Sequence, residues 1–185
     1  MLKDQIIYIN FYQEISPISC QNLMKLITAA MVDYKPAEIY IIFSSPGGAI
    51  SSGITLYNFL KSLPVKITMH NTGSVDSIAN IIFLAAEQRY AAPNSSFLFH
   101  GAKMPVRAET SFSLNEIEEL SSSLKIDQDK ISGIICKHTK LKKTEVEKLF
   151  NRGESKGLDF ATNKEIIHEI KEMTIPSGSI LLNAF

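Results

Sequence analysis

The sequence Ser45-Pro46-Gly47-Gly48 decides the fold assignment, because of what precedes it and what stands at fixed distances after it. It directly follows Ile39-Tyr40-Ile41-Ile42-Phe43, an apolar and largely β-branched run that is typical of a buried parallel strand. Glycines at the end of such a strand can offer backbone N–H groups to a ligand without a Cβ in the way. The stretch therefore predicts a strand end that takes part in a site.

A serine and a histidine follow the glycine pair, and each stands at the end of a predicted element. Ser77 comes 29 residues after Gly48, on a turn that enters an apolar helix. His100 comes 23 residues after Ser77 and closes a second apolar run, Phe97-Leu98-Phe99. A serine can attack a carbonyl carbon, a histidine can take the serine's proton, and glycine N–H groups can stabilise the resulting oxyanion. These residues are the parts of an acyl-transfer site.

Composition and charge narrow the class of protein. The chain has 185 residues, enough for one well-buried core, and 45% of them are hydrophobic. The formal net charge is zero, which argues against a nucleic-acid binder. No apolar run approaches the roughly 20 residues of a membrane span, and the first residues lack a secretory signal pattern. We therefore expect a cytoplasmic protein that binds neither nucleic acid nor membrane.

The first hundred residues alternate between strand and helix patterns. The predicted strands cover residues 6–10, 39–43, 65–70, 89–92 and 97–100, and the predicted helices cover residues 19–33, 54–60 and 77–87. Strands that alternate with helices in this way indicate right-handed crossovers and a largely parallel sheet. The fold class is therefore α/β.

The second half of the chain is mainly helical. Apolar residues recur at helical spacing at Leu114, Ile117, Leu120 and Leu124, which predicts a long helix from Leu114 to about Lys137. Shorter helices are predicted over 143–150 and 161–173, with a polar loop over 151–157 between them. We expect one domain over residues 6–175, with a projecting region at about 112–142 and a C-terminal tail over 176–185 that is an edge strand or disordered.

Together, these motifs resemble the proteolytic subunit of the Clp protease, within the ClpP/crotonase superfamily. The resemblance covers about residues 6–173, and its anchors occur in the family's order. They are Ser45-Pro46-Gly47-Gly48, Gly73-x-x-x-Ser77, the segment Pro93 to His100, and the pair His138-Thr139. The resemblance implies repeated β-β-α units, with the long helix projecting as a handle.

The resemblance also implies roles for particular residues. Ser77 matches the family's nucleophile and His100 its general base, while the N–H groups of Gly48 and Ile78 match the oxyanion hole. The chemistry agrees, because a serine at a helix N-terminus stands where free N–H groups favour developing negative charge. We expect no metal and no cofactor.

Two departures from the family pattern concern acidic residues. Asp76 stands before the matched nucleophile, where the family usually has a small residue. A carboxylate at this position opposes an oxyanion unless it turns away to cap the helix. We favour the interpretation that Asp76 caps the helix. The family's aspartate that orients the histidine has no gap-free counterpart, since extending the match places Gly153 at that position. Glu154 would serve if the loop shifts, and Asp159 is the second choice.

The resemblance implies a serine endopeptidase that hydrolyses peptide bonds inside a chamber of stacked rings. It also implies a homo-oligomer, a peptide or unfolded-protein substrate, and an ATP-dependent unfoldase partner, because this sequence contains no P-loop. The family's segment ahead of the first strand, which forms axial pore loops, is expected to be missing.

Two alternatives stand beside the peptidase. The first is a catalytically degenerate homologue that acts as a structural or regulatory subunit, and Asp76 and the missing aspartate motivate it. The second is a crotonase-type acyl-CoA enzyme, which shares the oxyanion geometry. It fits poorly, because that chemistry does not need both Ser77 and His100 at protease-like positions.

Overall fold

Fourteen helices and strands make up the part of the chain that the computed structural model describes, residues 5–103 and 111–185. In chain order they are β1 (Ile6–Tyr12), α1 (Pro17–Asp33), β2 (Glu38–Ser45), α2 (Ile50–Ser62), β3 (Lys66–Asp76), α3 (Ala79–Phe83), β4 (Gln88–Ala91), β5 (Ser96–Phe99), α4 (Leu114–His138), α5 (Lys143–Arg152), β6 (Glu154–Lys156), α6 (Leu158–Asn163), β7 (Glu169–Ile170) and β8 (Ile180–Asn183). The α/β class predicted from the sequence is confirmed.

The strands of the described residues form one eight-stranded sheet. Its main path runs β6-β5-β3-β2-β1-β8, while β4 pairs with β3 and β7 pairs with β4. The pairing is parallel throughout except between β5 and β6, which run antiparallel. Parallel strands direct their carboxyl ends to the same edge of a sheet. The residues that follow β2, β3 and β5 therefore converge at one edge.

Strand β3 changes partner along its length. Its first half pairs with β4, and its last three residues pair with β5. Between the partner pairs Phe43–Asn71 and Ser45–Val75, β3 has two more residues than β2. The Asn71 side chain stabilises this irregularity, because its Nδ2 donates to the Ser96 carbonyl at the start of β5, at 2.9 Å. The irregularity lets β3 continue alongside β5.

A contiguous apolar core lies beneath the edge where these strands end. Phe11 of β1 stacks on Phe43 of β2, and Phe83 of α3 meets Phe97 of β5 edge-on, with ring centroids 5.4 Å apart in both pairs. All five residues of α3 are buried. Burying side chains of this size stabilises the fold by roughly 1.5–3 kcal/mol each. The helix that follows Ser77 is therefore held firmly in the core.

Helix α4 projects from this body at its N-terminal end. It begins with a capping box, in which the Glu116 carboxylate accepts from the Ser113 N–H at 2.7 Å and the Ser113 hydroxyl accepts from the Glu116 N–H at 3.3 Å. Leu114 is 70% exposed and Ile117 51% exposed, and the first buried residue of the helix is Ile131. Among the described residues, no helix is long and apolar enough to span a bilayer.

The C-terminal end of α4 is fixed to the body by His138. Its Nε2 lies 2.8 Å from the Tyr57 hydroxyl of α2. Burial, and then the positive charges of Lys61 and Arg89, lower the pKa of His138 to about 4. The ring is therefore neutral at pH 7, where it bonds the tyrosine rather than carrying a charge.

The structure differs from the sequence predictions in three places. Residues 73–76 belong to β3 rather than to a turn. The helix predicted over 161–173 ends at Asn163, because Glu165 has a left-handed backbone, with φ at 55°, and the next residues are the adjacent buried pair Ile166 and Ile167. The predicted loop over 151–157 contains β6. The C-terminal tail contains β8, which pairs with β1 at the edge of the sheet and agrees with the edge strand that was one of its two expected forms.

Candidate active site

Ser77 lies on a sharp turn between β3 and α3. Its backbone is left-handed, with φ at 57°, which is uncommon for a residue other than glycine. The Ser77 N–H donates to the Leu98 carbonyl of β5 at 2.8 Å. The Asn80 side-chain amide donates to the same carbonyl at 2.8 Å and to the Ser77 carbonyl at 3.0 Å. These bonds hold the turn in the strained geometry that presents a nucleophile at a strand end.

The glycine turn after β2 packs closely against Ser77. Gly47 and Gly48 have φ values of 89° and 145°, which side chains rarely adopt. A Cβ on Gly47 would stand 2.7 Å from the Ser77 Cβ, and one on Gly48 would stand 2.2 Å from the Ile15 carbonyl oxygen. Ile15 fixes the turn from the other side, since its N–H donates to the Gly47 carbonyl and its own carbonyl accepts from the Ala49 N–H, both at 2.7 Å.

One cavity of about 470 Å³ brings four of the predicted site residues together: Ser77, His100, Gly48 and Ile78 all line it. Neither the Gly48 nor the Ile78 N–H donates a hydrogen bond to another described residue. The rest of the wall is mainly apolar, with two charged residues: Glu14, Pro46, Gly47, Ile50, Phe99, Gly101, Ala102, Lys103, Ile131, Ile135 and Phe150. The cavity therefore brings a serine, a histidine and two backbone N–H groups that are unpaired among the described residues beside a mainly apolar surface.

His100 stands directly after β5, and a backbone contact sets its tautomer. Its Nδ1 lies 2.8 Å from the Gly101 carbonyl oxygen. A carbonyl oxygen only accepts, so Nδ1 carries the proton and Nε2 is left as the acceptor that a general base needs. Among the described residues, the Ser77 hydroxyl makes no hydrogen bond to the His100 ring. Such contacts commonly tighten only when substrate binds.

The Glu154 carboxylate pairs with two cations rather than with the histidine. The Glu154 carboxylate accepts from Lys156 Nζ at 2.5 Å and lies 3.5 Å from the Arg152 guanidinium. The hydrogen bond from Lys156 and the nearby positive charges lower the pKa of Glu154. Its side chain lines a second cavity. In this structure Arg152 and Lys156 bind the carboxylate, and the role of Glu154 in orienting the histidine stays a prediction.

The other two candidate positions differ in how close they come to the histidine. Asp159, in the first turn of α6, is exposed. Gly153 ends α5 in a left-handed conformation, with φ at 63°, and a Cβ added to it would stand 4.0 Å from the His100 Cβ. The position that the family alignment assigns to the aspartate is therefore beside His100, but it is occupied by glycine.

Asp76 is the last residue of β3 and is half-buried. Burial raises the pKa of Asp76, while the Ser74 hydroxyl, the Leu98 N–H and the charge of His100 oppose that rise. Helix α3 has no side-chain cap, so the expectation that this carboxylate caps the helix is wrong. In the described residues, no group of three or more His, Cys, Asp or Glu is arranged to hold a metal ion.

Sequence analysis missed the residues that hold the site in shape. Three groups position Ser77 or His100: the Leu98 carbonyl, the Asn80 amide and the Gly101 carbonyl. Sequence patterns do not reveal them, because they act through backbone atoms or a buried amide. Asn80 is 2% exposed. Its place in an otherwise apolar helix segment is the one sequence signal that pointed to such a role.

The fold is α/β, with a serine, a histidine and a glycine turn around one cavity, and comparison with known proteins identifies the family. The family model for Clp protease matches residues 1–172, so the chain belongs to the Clp protease family. The resemblance inferred from the sequence is confirmed.

Individual relatives are more distant. The ATP-dependent Clp protease proteolytic subunit 3 of Rhizobium etli is 35% identical over 96 residues, which are 51% of this chain and 47% of that protein. The proteolytic subunit 2 of Pseudomonas aeruginosa is 39% identical over 64 residues, which are 34% of this chain and 32% of that protein. These matches span less than half the length of the curated relatives.

A solved structure shows the same fold over nearly the whole chain. A mutant of ClpP1 from Listeria monocytogenes superimposes with a TM-score of 0.79, and the match covers 90% of this chain and 91% of that one. Its sequence identity to this chain is 22%. The comparison therefore establishes a ClpP-like fold.

The glycine turn yields a direct test of the site's construction. We expect Gly48→Ala to lower the free energy of unfolding by at least about 2 kcal/mol, because the new Cβ collides with the Ile15 carbonyl and the residue is held at positive φ. Gly133→Ala in α4 is the matched control: its Cβ meets nothing within 4 Å, and alanine favours a helix by up to about 1 kcal/mol. Denaturant unfolding measures both, and equal stability of the two variants would contradict the assigned geometry.

Proposed function

We propose that the protein is a serine endopeptidase of the ClpP type. The observation that supports the proposal is the shared cavity, in which Ser77 and His100 stand beside two unpaired N–H groups, those of Gly48 and Ile78. The apolar wall of the cavity suits a peptide segment with an apolar side chain. The proposal joins this geometry to the family's activity.

In the proposed reaction, the Ser77 hydroxyl attacks the peptide carbonyl while His100 Nε2 takes its proton. The Gly48 and Ile78 N–H groups stabilise the oxyanion of the tetrahedral intermediate. His100 then gives the proton to the leaving amine, which breaks the peptide bond and leaves an acyl-enzyme. Water, deprotonated by the same imidazole, hydrolyses that ester and regenerates the serine.

The orientation of His100 in this mechanism comes from the Gly101 carbonyl. That contact keeps the Nδ1 proton in place at 2.8 Å and so keeps Nε2 free to accept. The family's orienting aspartate is replaced by Gly153, and the Glu154 carboxylate is bound by Lys156. We therefore propose a Ser77–His100 pair held by a backbone carbonyl rather than a triad completed by Glu154.

Assembly belongs to the same proposal. The N-terminal half of α4 exposes apolar side chains, with Leu114 70% and Ile117 51% exposed, and a projecting apolar stripe is usually covered by a partner. We propose a homo-oligomer of stacked rings joined through this helix, which encloses the active sites in a chamber. An ATP-dependent unfoldase that delivers unfolded chains, and a cytoplasmic location, follow from the family.

A catalytically degenerate subunit is the second candidate. Two observations favour it: glycine replaces the orienting carboxylate, and the Ser77 hydroxyl is not hydrogen-bonded to the His100 ring. Such a subunit would keep the ring-forming fold with little turnover. The two candidates differ in whether Ser77 is nucleophilic, which can be measured without knowing the substrate.

We expect a fluorophosphonate probe to label the assembled protein at Ser77, because phosphonylation needs the same nucleophile, base and oxyanion donors as peptide hydrolysis. Ser77→Ala should abolish both labelling and peptide hydrolysis while leaving the melting temperature nearly unchanged. Ser122→Ala, on the exposed part of α4, is the control that should keep both. Labelling found by mass spectrometry at another serine would contradict the assignment, and silence of the assembled wild-type protein would favour the degenerate subunit.

We expect the protein to form an oligomer that Leu120→Glu disrupts, since this change places a charge in the apolar stripe of α4. Ser122→Glu is the matched control, because at helical spacing Ser122 faces away from that stripe. Light scattering at micromolar concentration measures the molar mass of each. A wild-type monomer, or an equal loss of assembly in both variants, would overturn the proposed interface.

A further inference from the structure

Asp76 and His100 lie on the same side of two neighbouring strands. Asp76 ends β3 and is the direct partner of Leu98 in the parallel pair with β5. His100 directly follows β5, and continuing the alternation of side chains by this one residue puts it, two residues beyond Leu98, on the side of Asp76. Strand geometry puts the two Cα atoms about 8 Å apart, which the side chains can largely bridge.

The Asp76 carboxylate is positioned behind the cavity rather than inside it. Burial raises the pKa of Asp76, and the Ser74 hydroxyl, the Leu98 N–H and the charge of His100 oppose that rise. Asp76 does not line the cavity that contains the Gly48 and Ile78 N–H groups. Its negative charge is therefore directed toward the histidine and separated from the place where an oxyanion would form.

The other charged groups near His100 either form ion pairs with other side chains or line the cavity. The Glu154 carboxylate is bound by Lys156 and Arg152. Glu14 and Lys103 line the cavity with opposite charges. Position 153, beside the His100 Cβ, is a glycine. Among the described residues, Asp76 is thus the carboxylate placed to act on the histidine from the sheet side.

We propose that Asp76 is a positioning residue for His100, whose carboxylate stabilises the imidazolium formed when Ser77 attacks and so replaces the carboxylate absent at position 153. The inference rests on the proposed function. The proton moves from the serine to His100 and then to the leaving amine, and Asp76 stays ionised throughout. A residue that looked opposed to catalysis in the sequence thus supports it.

The proposal predicts a conflict between stability and activity at Asp76. Burial raises the pKa of Asp76 in the folded state, so folding favours the protonated carboxyl. The contribution of Asp76 to the free energy of unfolding is therefore present below the unfolded pKa and is lost as pH rises through the folded pKa. Asp76→Asn should therefore melt at a higher temperature than wild type at pH 7, with a difference that shrinks toward pH 4. A functional site that costs stability behaves in this way.

The test compares the rate of fluorophosphonate labelling across pH in wild type, Asp76→Asn and the double variant Asp76→Asn/Gly153→Asp. We expect Asp76→Asn to lower the rate at pH 7 about tenfold and to move the acid limb of the profile to lower pH, since the imidazolium loses a neighbouring negative charge. Aspartate tolerates the left-handed conformation at position 153, so the double variant should regain most of the rate. Asp33→Asn, which changes an exposed carboxylate at the end of α1, should leave rate and profile unchanged.

An unchanged or faster rate in Asp76→Asn, or an acid limb that does not move, would overturn the proposal. A separate measurement keeps it distinct from the proposed function: the His100 ring is titrated by NMR in the Ser77→Ala background, with His100→Gln to assign the signal. Asp76→Asn should make the ring lose its proton at lower pH. If the His100 titration is the same with and without Asp76, the proposed interaction between Asp76 and His100 is refuted, whatever the activity. If the titration shifts but the fluorophosphonate does not label the wild-type protein, only the proposed function fails.

Discussion

The Leu98 carbonyl oxygen is the atom on which the geometry of the site depends. It accepts the Ser77 N–H and the Asn80 side-chain amide, each at 2.8 Å. Because Leu98 lies two residues before His100, these bonds fasten the serine turn to the strand that carries the histidine. The distance between Ser77 and His100 is therefore set by one strand pairing, and the buried helix α3 keeps the turn from relaxing.

The rest of the sheet allows the end of β3 to pair with β5. Strand β3 leaves β4 and joins β5 only because two extra residues shift its register, with Asn71 bonded across to Ser96. On the other side, the glycine turn fits against Ser77 with no room for a side chain at Gly47. The left-handed backbone of Ser77 costs about 1–3 kcal/mol of folding free energy. The packing of the surrounding core offsets this cost and keeps the serine in that conformation.

Local patterns were enough to predict the first five strands and the residues that meet at the cavity. Gly48 and His100 follow apolar runs, Ser77 precedes an apolar helix, and the carboxyl ends of parallel strands meet at one edge. Glu154 could not be placed in this way, because its direction depends on how β6 pairs with β5 and on Lys156 two residues further on. The sequence could not show that Asp76 lies beside Leu98, since that register follows from the irregularity in β3.

The most direct measurement is an experimental structure of the phosphonylated protein. We expect a covalent bond from the Ser77 oxygen to phosphorus, with the phosphonyl oxygen within about 3 Å of both the Gly48 and the Ile78 nitrogen atoms. We also expect the His100 ring beside the adduct, with Nδ1 still bonded to the Gly101 carbonyl. A phosphonyl oxygen directed away from both N–H groups would contradict the proposed site.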